Sequence, residues 1–308
     1  MEGYFLHIAS KLEELRVRPG TGKFNLLTEL KSWDLWRGII AELIATALFV
    51  LIGTMSAMDI NQTDEGDKNA KFIRIAFTFG LMITVCIQMI GHVSGGHMNP
   101  AVSIAMAVAN WISPTRAFLY VCAQSGGGIL GSFLLKLFTP SRLHNNLAVT
   151  TINPELNVGQ GLGCEIIFTF ILVMSIMGCT DMNRPLFGSP AIGIGFTVAV
   201  VHLAAIPFTA ASMNPARSLG SAVISKYFKD LWVYWVGPIA GGIVAAVVYK
   251  FVFNPYRKHV SYKWAAKELM NDTEMIVIPK DYFSAGQKTD KSNGNVVANN
   301  VVSCSHHL

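Results

Sequence analysis

The chain has 308 residues, of which 52% are hydrophobic and only 14% are charged. Soluble domains carry about 25% charged residues, so this composition excludes an ordinary soluble globular protein and predicts a membrane protein. The net charge of +5 does not indicate a nucleic-acid partner, because the basic residues lie between and beyond the apolar blocks and form no basic motif with interleaved aromatic residues. The five cysteines form no CxxC pair and no metal-binding spacing.

Apolar blocks along the chain predict the membrane-spanning segments. Each is close to the length of about 20 residues that crosses a bilayer. The six blocks are residues 36–57, 73–91, 115–138, 160–179, 189–207 and 231–253. Two further apolar stretches, 99–110 and 214–224, are too short to cross, and they are predicted to be re-entrant half-helices or helices outside the membrane.

The basic residues of the connecting segments predict the orientation. Sixteen Lys and Arg lie on the side of the two chain ends and seven on the other side, which predicts cytoplasmic termini. Residues 1–35 and 254–308 are therefore expected to be cytoplasmic, and the polar composition of the second segment predicts a largely disordered tail. Asn61, in a loop predicted to face outward, begins a sequon and is a possible glycosylation site.

The two halves of the chain repeat one another. The triplet Asn-Pro-Ala occurs in both short apolar stretches, a glycine stands nineteen residues before each of these asparagines, and a lone glutamate followed four residues later by threonine lies in an earlier span of each half. The equivalent residues are Asn99, Pro100 and Ala101 with Asn214, Pro215 and Ala216; Gly80 with Gly195; Glu42 with Glu165; and Thr46 with Thr169.

Each half contains three spans, so the two copies must enter the membrane from opposite sides. We therefore predict an all-α membrane protein of six transmembrane helices and two re-entrant half-helices in an inverted repeat, with repeat one at 36–138 and repeat two at 160–253. In such folds the functional site lies near the bilayer midplane, where broken helices meet. A single Asn-Pro would only mark the start of a helix, but two copies at equivalent places indicate a site.

The segments GHVSGGHMNPAVS (Gly91 to Ser103) and FTAASMNPARS (Phe208 to Ser218) closely resemble those of the aquaporins, the major intrinsic protein family. The resemblance extends from about Trp36 to Phe253. It implies a passive water channel in a membrane, expected to be the plasma membrane, assembled as a homotetramer surrounded by lipid. It implies no enzymatic activity, no catalytic residue, no metal and no cofactor.

The half-helices explain how such a pore could exclude cations. Each N-terminus carries unsatisfied N–H groups and about half a positive charge, so two of them at the midpoint oppose a cation. The amides of Asn99 and Asn214 are expected to donate to one water oxygen, which then cannot accept a proton from a neighbouring water. The resemblance assigns both asparagines this role.

The resemblance also assigns the remaining pore residues. It implies a constriction formed by Phe79, His202, Ala211 and Arg217, in which the bulky Phe79 and His202 leave room and donors for one water but not for glycerol. It implies a ladder of backbone carbonyls, expected in extended conformation, and two carboxylates, Glu42 and Glu165, that support the pore loops. The ladder comprises Gly95, Gly96, His97, Ala210, Ala211 and Ser212.

Three functions remain open from the sequence. The first is a water-selective channel, and the second is a channel of aquaglyceroporin type that also passes glycerol, urea or another small neutral solute. The third is a mainly junctional or scaffolding membrane protein. Secondary transport is disfavoured, because no additional ionisable pair is present to couple an ion.

Overall fold

A computed structural model describes residues 26–60, 68–144, 146–181 and 188–253 of the chain. The predictions for Asn61, for residues 1–25 and for the tail 254–308 lie outside these residues. The described ranges contain nine α-helices: α1 (Leu26–Leu30), α2 (Trp33–Met55), α3 (Lys68–Ser94), α4 (Pro100–Val108), α5 (Pro114–Phe138), α6 (Val158–Thr180), α7 (Pro190–Thr209), α8 (Pro215–Ser225) and α9 (Val233–Val248). A short turn of 3-10 helix (Ser141–Leu143) follows α5, and a wider helical turn (Tyr249–Phe253) extends α9.

Six of these helices, α2, α3, α5, α6, α7 and α9 with its extension, are long and apolar enough to cross a membrane. They coincide with the six predicted blocks, so the predicted fold class is confirmed. The helix α3 begins at Lys68, five residues before the predicted block at 73. The difference arises because an apolar block marks the depth of the hydrocarbon, whereas a helix continues into the polar layer beyond it.

The two short apolar stretches form separate helices, α4 of 9 residues and α8 of 11 residues. At 1.5 Å per residue, helices of this length reach only about half of a 30 Å hydrocarbon layer. They are the two half-helices that the sequence predicts.

Helix packing follows the internal repeat. In the first half α2 packs on α5, and in the second half α6 packs on α9 in the same way. Each half-helix packs on a long helix of the opposite half, α4 on α9 and α8 on α5, while α3 packs on α7. The halves therefore interlock, and neither half-helix is buried by its own repeat alone.

The half-helices approach the long helices closely at glycines. A Cβ added to Gly128 of α5 would lie 2.9 Å from the backbone carbon of Ala216 in α8. At the equivalent contact, a Cβ on Gly242 of α9 would lie 3.0 Å from the carbonyl oxygen of Ala101 in α4. At its Asn-Pro-Ala triplet, each half-helix thus lies directly against the backbone of a long helix. Backbone atoms, unlike a flexible side chain, cannot move aside easily.

We expect Gly128→Ala to destabilise the fold, because the added methyl group collides with backbone rather than with a flexible side chain. The loss in free energy of unfolding should be about 1–3 kcal/mol, the usual cost of overpacking. The matched control is Gly126→Ala in the same helix, where an added Cβ meets only a methyl group of Leu43 at 4.0 Å. Thermal unfolding in detergent, followed by tryptophan fluorescence, compares the two. Equal melting temperatures for both variants would contradict this account of the contact.

Candidate functional site

The Asn-Pro-Ala triplets begin the two half-helices. Asn99 caps α4, and its side-chain oxygen accepts a hydrogen bond from the backbone N–H of Ala101 at 2.9 Å. Asn214 caps α8 and accepts from the N–H of Ala216 at 3.0 Å. The proline after each cap has no N–H to satisfy, which suits the first helical position. All six residues are buried: Asn99, Pro100, Ala101, Asn214, Pro215 and Ala216.

The two caps also bind each other's loops. The side-chain N–H of Asn99 donates to the carbonyl oxygen of Met213 at 2.8 Å, and that of Asn214 donates to the carbonyl oxygen of Met98 at 2.8 Å. These reciprocal bonds bring the N-terminal ends of α4 and α8 together. A side-chain amide has two N–H donors, so each asparagine retains one N–H for another acceptor. The sequence did not anticipate that half of this donor capacity is used between the repeats.

A buried carboxylate holds the loop before α4. Glu42, fully buried in α2, accepts hydrogen bonds from the backbone N–H groups of His97 at 2.9 Å and Met98 at 2.6 Å. It also accepts from the hydroxyl of Ser94 at 2.7 Å and from the amide of Gln124 at 2.8 Å. Four donors therefore converge on one carboxylate, so burial of its charge is compensated by hydrogen bonds.

The second repeat uses the equivalent carboxylate in the same way. Glu165, fully buried in α6, accepts from the backbone N–H groups of Ser212 at 3.1 Å and Met213 at 2.8 Å. The hydroxyl of Thr209 donates to it at 2.6 Å. Both glutamates thus bind the loops that the sequence analysis assigned to them.

Two buried tyrosines, which sequence reasoning missed, hold the last residue of the helix before each loop. The hydroxyl of Tyr120 donates to the carbonyl oxygen of Ser94 at 3.1 Å, and that of Tyr234 donates to the carbonyl oxygen of Thr209 at 3.1 Å. The two tyrosines are 114 residues apart, close to the offset of the repeat. A search of the sequence for equivalent polar pairs could have found them.

The backbone of the two loops is not extended throughout, so that expectation was wrong for four of the six predicted ladder residues. Both loops contain left-handed residues at equivalent places. Their φ angles are 92° at Gly95, 67° at Gly96 and 47° at Met98 in the first loop, and 59° at Ala210, 51° at Ala211 and 51° at Met213 in the second. The reason is that only five residues separate α3 from α4, and α7 from α8, and in each case the chain must change direction between them.

Non-glycine residues occupy four of these left-handed positions, at a cost of about 1–3 kcal/mol each. Such backbone persists only where the surroundings determine it. The carboxylates of Glu42 and Glu165 supply this restraint.

Three of the four predicted constriction residues contact one another. The ring of Phe79 from α3 stacks on the ring of His202 from α7, with 4.8 Å between ring centres and 20° between ring planes. The guanidinium carbon of Arg217 in α8 lies 5.6 Å from the centre of the Phe79 ring. Ala211 is fully buried and belongs to the same apolar cluster as Phe79. The structure therefore brings Phe79, His202 and Arg217 together and places Ala211 in the apolar cluster that contains Phe79.

A hydrogen bond to the backbone fixes which ring nitrogen of His202 carries the proton. Its Nδ1 lies 2.9 Å from the carbonyl oxygen of Val198, and a carbonyl can only accept. Nδ1 therefore carries the proton, and in the neutral ring Nε2 is an acceptor. The constriction thus offers an acceptor from His202, where the sequence analysis expected only donors.

Arg217 supplies the positive charge of the constriction. It is only 4% exposed, and its Nη1 donates to the carbonyl oxygen of Ala148 at 2.6 Å and lies 3.4 Å from the hydroxyl of Ser221. Its buried Nε has no hydrogen-bond partner among the described residues. A charged side chain within a membrane span is costly and is typical of functional sites.

A cavity of about 640 Å³ adjoins the meeting point of the half-helices. Its walls include the end of α3, the end of α6 and the start of α7. In the order of the helices, these lie on the side where α2 begins and α9 ends. At about 30 Å³ per molecule, this volume corresponds to about 20 waters. Seven of the predicted pore residues line it: Gly95, Gly96, His97, Asn99, His202, Ser212 and Asn214. Four other predicted pore residues do not line it: Phe79, Ala210, Ala211 and Arg217.

Sequence reasoning missed the apolar lining of this cavity. The Asn-Pro-Ala triplets of the two repeats are 115 residues apart. This offset relates each predicted constriction residue to a position in the opposite repeat: Phe79 to Ile194, His202 to Ile87, Ala211 to Gly96 and Arg217 to Val102. All four line the cavity: Ile87, Gly96, Val102 and Ile194. The repeat offset was the signal that could have found them.

No group of three or more His, Cys, Asp and Glu side chains within the described ranges could hold a metal ion. The polar groups at the joined half-helix ends are instead N–H donors and backbone carbonyls, and the guanidinium of Arg217 lies in the predicted constriction beside Phe79. They are suited to a neutral molecule with both donors and acceptors, and they oppose a cation.

The fold and the site define a membrane channel built from an inverted repeat. The sequence profile of the major intrinsic protein family matches residues 29–249. The chain therefore belongs to the major intrinsic protein family.

Its relatives include aquaporins of several mammals. The chain is 43% identical to aquaporin-4 of Mus musculus over 221 residues, which cover 71% of this chain and 68% of that protein. It is 40% identical to aquaporin-1 of Sus scrofa over 237 residues, covering 75% of this chain and 87% of the relative. It is 42% identical to aquaporin-2 of Bos taurus over 248 residues, covering 80% and 90%.

The X-ray structure of the aquaglyceroporin from Plasmodium falciparum has a similar fold. The TM-score is 0.66 at 23% sequence identity, and the match covers 72% of this chain and 98% of that one. At this identity the similarity shows the fold alone.

We expect Glu42→Gln and Glu165→Gln to destabilise the protein. A carboxylate has two acceptor oxygens, whereas an amide has one oxygen and one NH₂ group. In each variant the NH₂ group therefore faces a backbone or side-chain donor, and at least one buried donor loses its acceptor. Hydrogen bonds to charged groups contribute about 1.5–3 kcal/mol each, and at least one is lost in each variant. The exposed Glu155, which supports no pore loop, provides the control Glu155→Gln. Thermal unfolding in detergent measures the difference, and unchanged melting of the two buried variants would show that the carboxylates do not support the loops.

Proposed function

We propose that this protein is a passive channel that conducts water in single file and excludes protons and ions. The observation that carries the proposal is the contact of Phe79, His202 and Arg217 on the path that ends at the joined N-termini of α4 and α8. Aromatic bulk limits the size of the permeant, while the acceptor on His202 and the donors on Arg217 match the hydrogen bonds of water. The family relationship to aquaporins supports the same conclusion.

Each predicted pore residue has a role in this proposal. Asn99 and Asn214 each donate their remaining N–H to the water at the midpoint, which turns its hydrogens away from its neighbours. The backbone carbonyls of Gly95, Gly96, His97, Ala210, Ala211 and Ser212 replace hydration along the path. Glu42 and Glu165 keep both loops in place.

The alternative is a channel that also passes glycerol, urea or another small neutral solute. The stacking of His202 on Phe79 at 4.8 Å opposes it, because a three-carbon polyol needs a wider opening than one water. The similarity to an aquaglyceroporin structure concerns the fold and does not bear on the permeant.

The surroundings of the channel are also part of the proposal. We propose a channel domain at 36–253, with cytoplasmic segments 1–35 and 254–308, in the plasma membrane. The excess of Lys and Arg on the side of the chain ends supports this orientation. Large apolar side chains on the exposed faces of α3 and α7, such as Phe77, Leu81, Phe196 and Val200, suit contact with lipid or with another subunit.

Osmotic swelling of proteoliposomes tests the permeant. Vesicles containing the protein should respond rapidly to a sucrose gradient and should take up glycerol no faster than empty vesicles. Phe79→Ala combined with His202→Ala should widen the constriction and raise glycerol permeability at least about tenfold, equivalent to a barrier lower by about 1.4 kcal/mol.

The control changes neighbouring residues of the same helices, Phe77→Ala with Leu203→Ala, whose side chains are 43% and 41% exposed on the outer surface of the bundle. It should leave glycerol exclusion intact. Glycerol uptake by the unsubstituted protein comparable to its water flow would support the alternative function. Near-zero water permeability would favour a junctional or scaffolding role.

Arg217→Val should weaken the exclusion of protons and sodium while water still flows. A unit charge about 4 Å from another costs about 4 kcal/mol at an effective dielectric of 20, so removal of the guanidinium lowers the barrier to a cation substantially. The half-helix ends should retain part of the barrier. Arg217→Lys is the matched control, because it keeps the charge and should keep most of the exclusion.

The measurement is proton and sodium flux in proteoliposomes with an imposed membrane potential. If Arg217→Val leaks no more than the unsubstituted protein, the electrostatic role of Arg217 is wrong.

We further propose that the protein is a homotetramer with one pore in each subunit, which membership of the family supports. Native mass spectrometry in a mild detergent should give mainly the mass of four chains of 33.6 kDa each. A spectrum dominated by single chains would argue against this assembly.

A further inference from the structure

The ring of Phe79 is seated directly on the backbone of α2. Phe49 of α2 contacts it edge to face, with 5.4 Å between ring centres and 75° between ring planes. Gly53 lies one helical turn further along the same face of α2. A Cβ added to Gly53 would lie 2.7 Å from Cδ1 and 2.8 Å from Cζ of Phe79, closer than real carbon contacts. The ring therefore fills the space that a side chain at position 53 would need.

The Phe79 ring also contacts two other predicted constriction residues. His202 stacks on it and Arg217 lies above it, at 4.8 Å and 5.6 Å from the ring centre. The ring thus contacts both the backbone of α2 and the polar groups of the predicted constriction. How far it extends toward His202 and Arg217 depends on how closely it can approach α2.

The second repeat packs its equivalent helices without a glycine at the position that corresponds to Gly53. The offset between Glu42 and Glu165 is 123, so the position equivalent to Gly53 in α2 is Ile176 in α6. The position equivalent to Phe79 is Ile194, and both isoleucines line the wide cavity. One repeat thus pairs two side chains of medium size, whereas the other pairs a large ring with no side chain at all.

We infer that Gly53 is a positioning residue that sets the aperture of the constriction by providing a recess for the Phe79 ring. This inference rests on the proposed function, since it assigns Gly53 a role in the same water path. A methyl group in the recess must displace the ring away from the backbone of α2. The ring therefore moves toward His202 and Arg217 and narrows the opening.

The experiment measures water permeability per reconstituted channel by stopped-flow light scattering of proteoliposomes. Gly53→Ala should lower it about tenfold, a barrier increase of about 1.4 kcal/mol. In the Phe79→Val background, where the ring is absent, the same substitution should change permeability less than twofold. Such dependence on Phe79 is not expected if Gly53 serves only general helix packing.

Two controls accompany these variants. Gly193→Ala places a methyl group 2.9 Å from the sulfur of Cys179, between α6 and α7, and reports on tight packing away from the constriction. Gly163→Ala places one where nothing lies within 4 Å and reports on the substitution itself. Both should conduct water as the unsubstituted protein does.

Each outcome decides the inference. Normal water flow through folded Gly53→Ala, or a loss that Phe79→Val does not rescue, overturns it. If Gly53→Ala is not recovered folded but Gly53→Ala/Phe79→Val is, the collision with the ring is supported, and if neither folds, the recess is refuted. Failure of the proposed function is distinguishable, because it would appear as absent water flow in the unsubstituted protein.

Discussion

The reciprocal hydrogen bonds between the two half-helix caps are the interaction on which the rest of the structure depends. Asn99 and Asn214 each bind the carbonyl of the methionine before the other cap, which fixes the N-termini of α4 and α8 end to end. Two helix dipoles with positive ends together repel each other, so this arrangement is stable only when the halves are held from outside. The interlocked packing of α4 on α9 and of α8 on α5 provides that hold.

The same constraint explains the buried carboxylates. Bringing the caps together forces each loop into left-handed backbone, most notably at Met98 and Met213, which also present the carbonyls that the caps bind. Glu42 and Glu165 accept the N–H groups of these two methionines at 2.6 Å and 2.8 Å. The backbone of each methionine is therefore bound at both of its polar groups, by a carboxylate at its N–H and by an asparagine at its carbonyl. The left-handed loop backbone, the buried carboxylates and the contact between the caps therefore depend on one another. For this reason we expect a change to either glutamate to affect both loops at the midplane.

The sequence was sufficient for the architecture because apolar length, repeat spacing and inverted topology follow from chain length and bilayer thickness. It was also sufficient to name both glutamates and to predict the four residues of the proposed constriction. The conformation of the loops was not predictable, since Ala210 and Ala211 carry no turn signal and their positive φ results from tertiary contacts. The proton position on His202 likewise depends on the carbonyl of Val198 one turn earlier, which no pattern of residue types reveals. Nor did any pattern single out Gly53, whose neighbour Phe79 lies in a different helix.

The backbone plan is the same on both sides of the joined caps, but the side chains that line the path differ. On one side of the joined caps, Phe79, His202 and Arg217 form the proposed constriction. At the equivalent places on the other side, Ile194, Ile87 and Val102 line a cavity large enough for many waters. A narrow polar segment requires each permeant to exchange its hydration for protein groups, whereas a wide segment lets it remain hydrated. In the proposed channel, confining the narrow part to one side of the joined caps keeps the desolvated path short, so selectivity is imposed at one constriction and the remaining resistance to flow stays low.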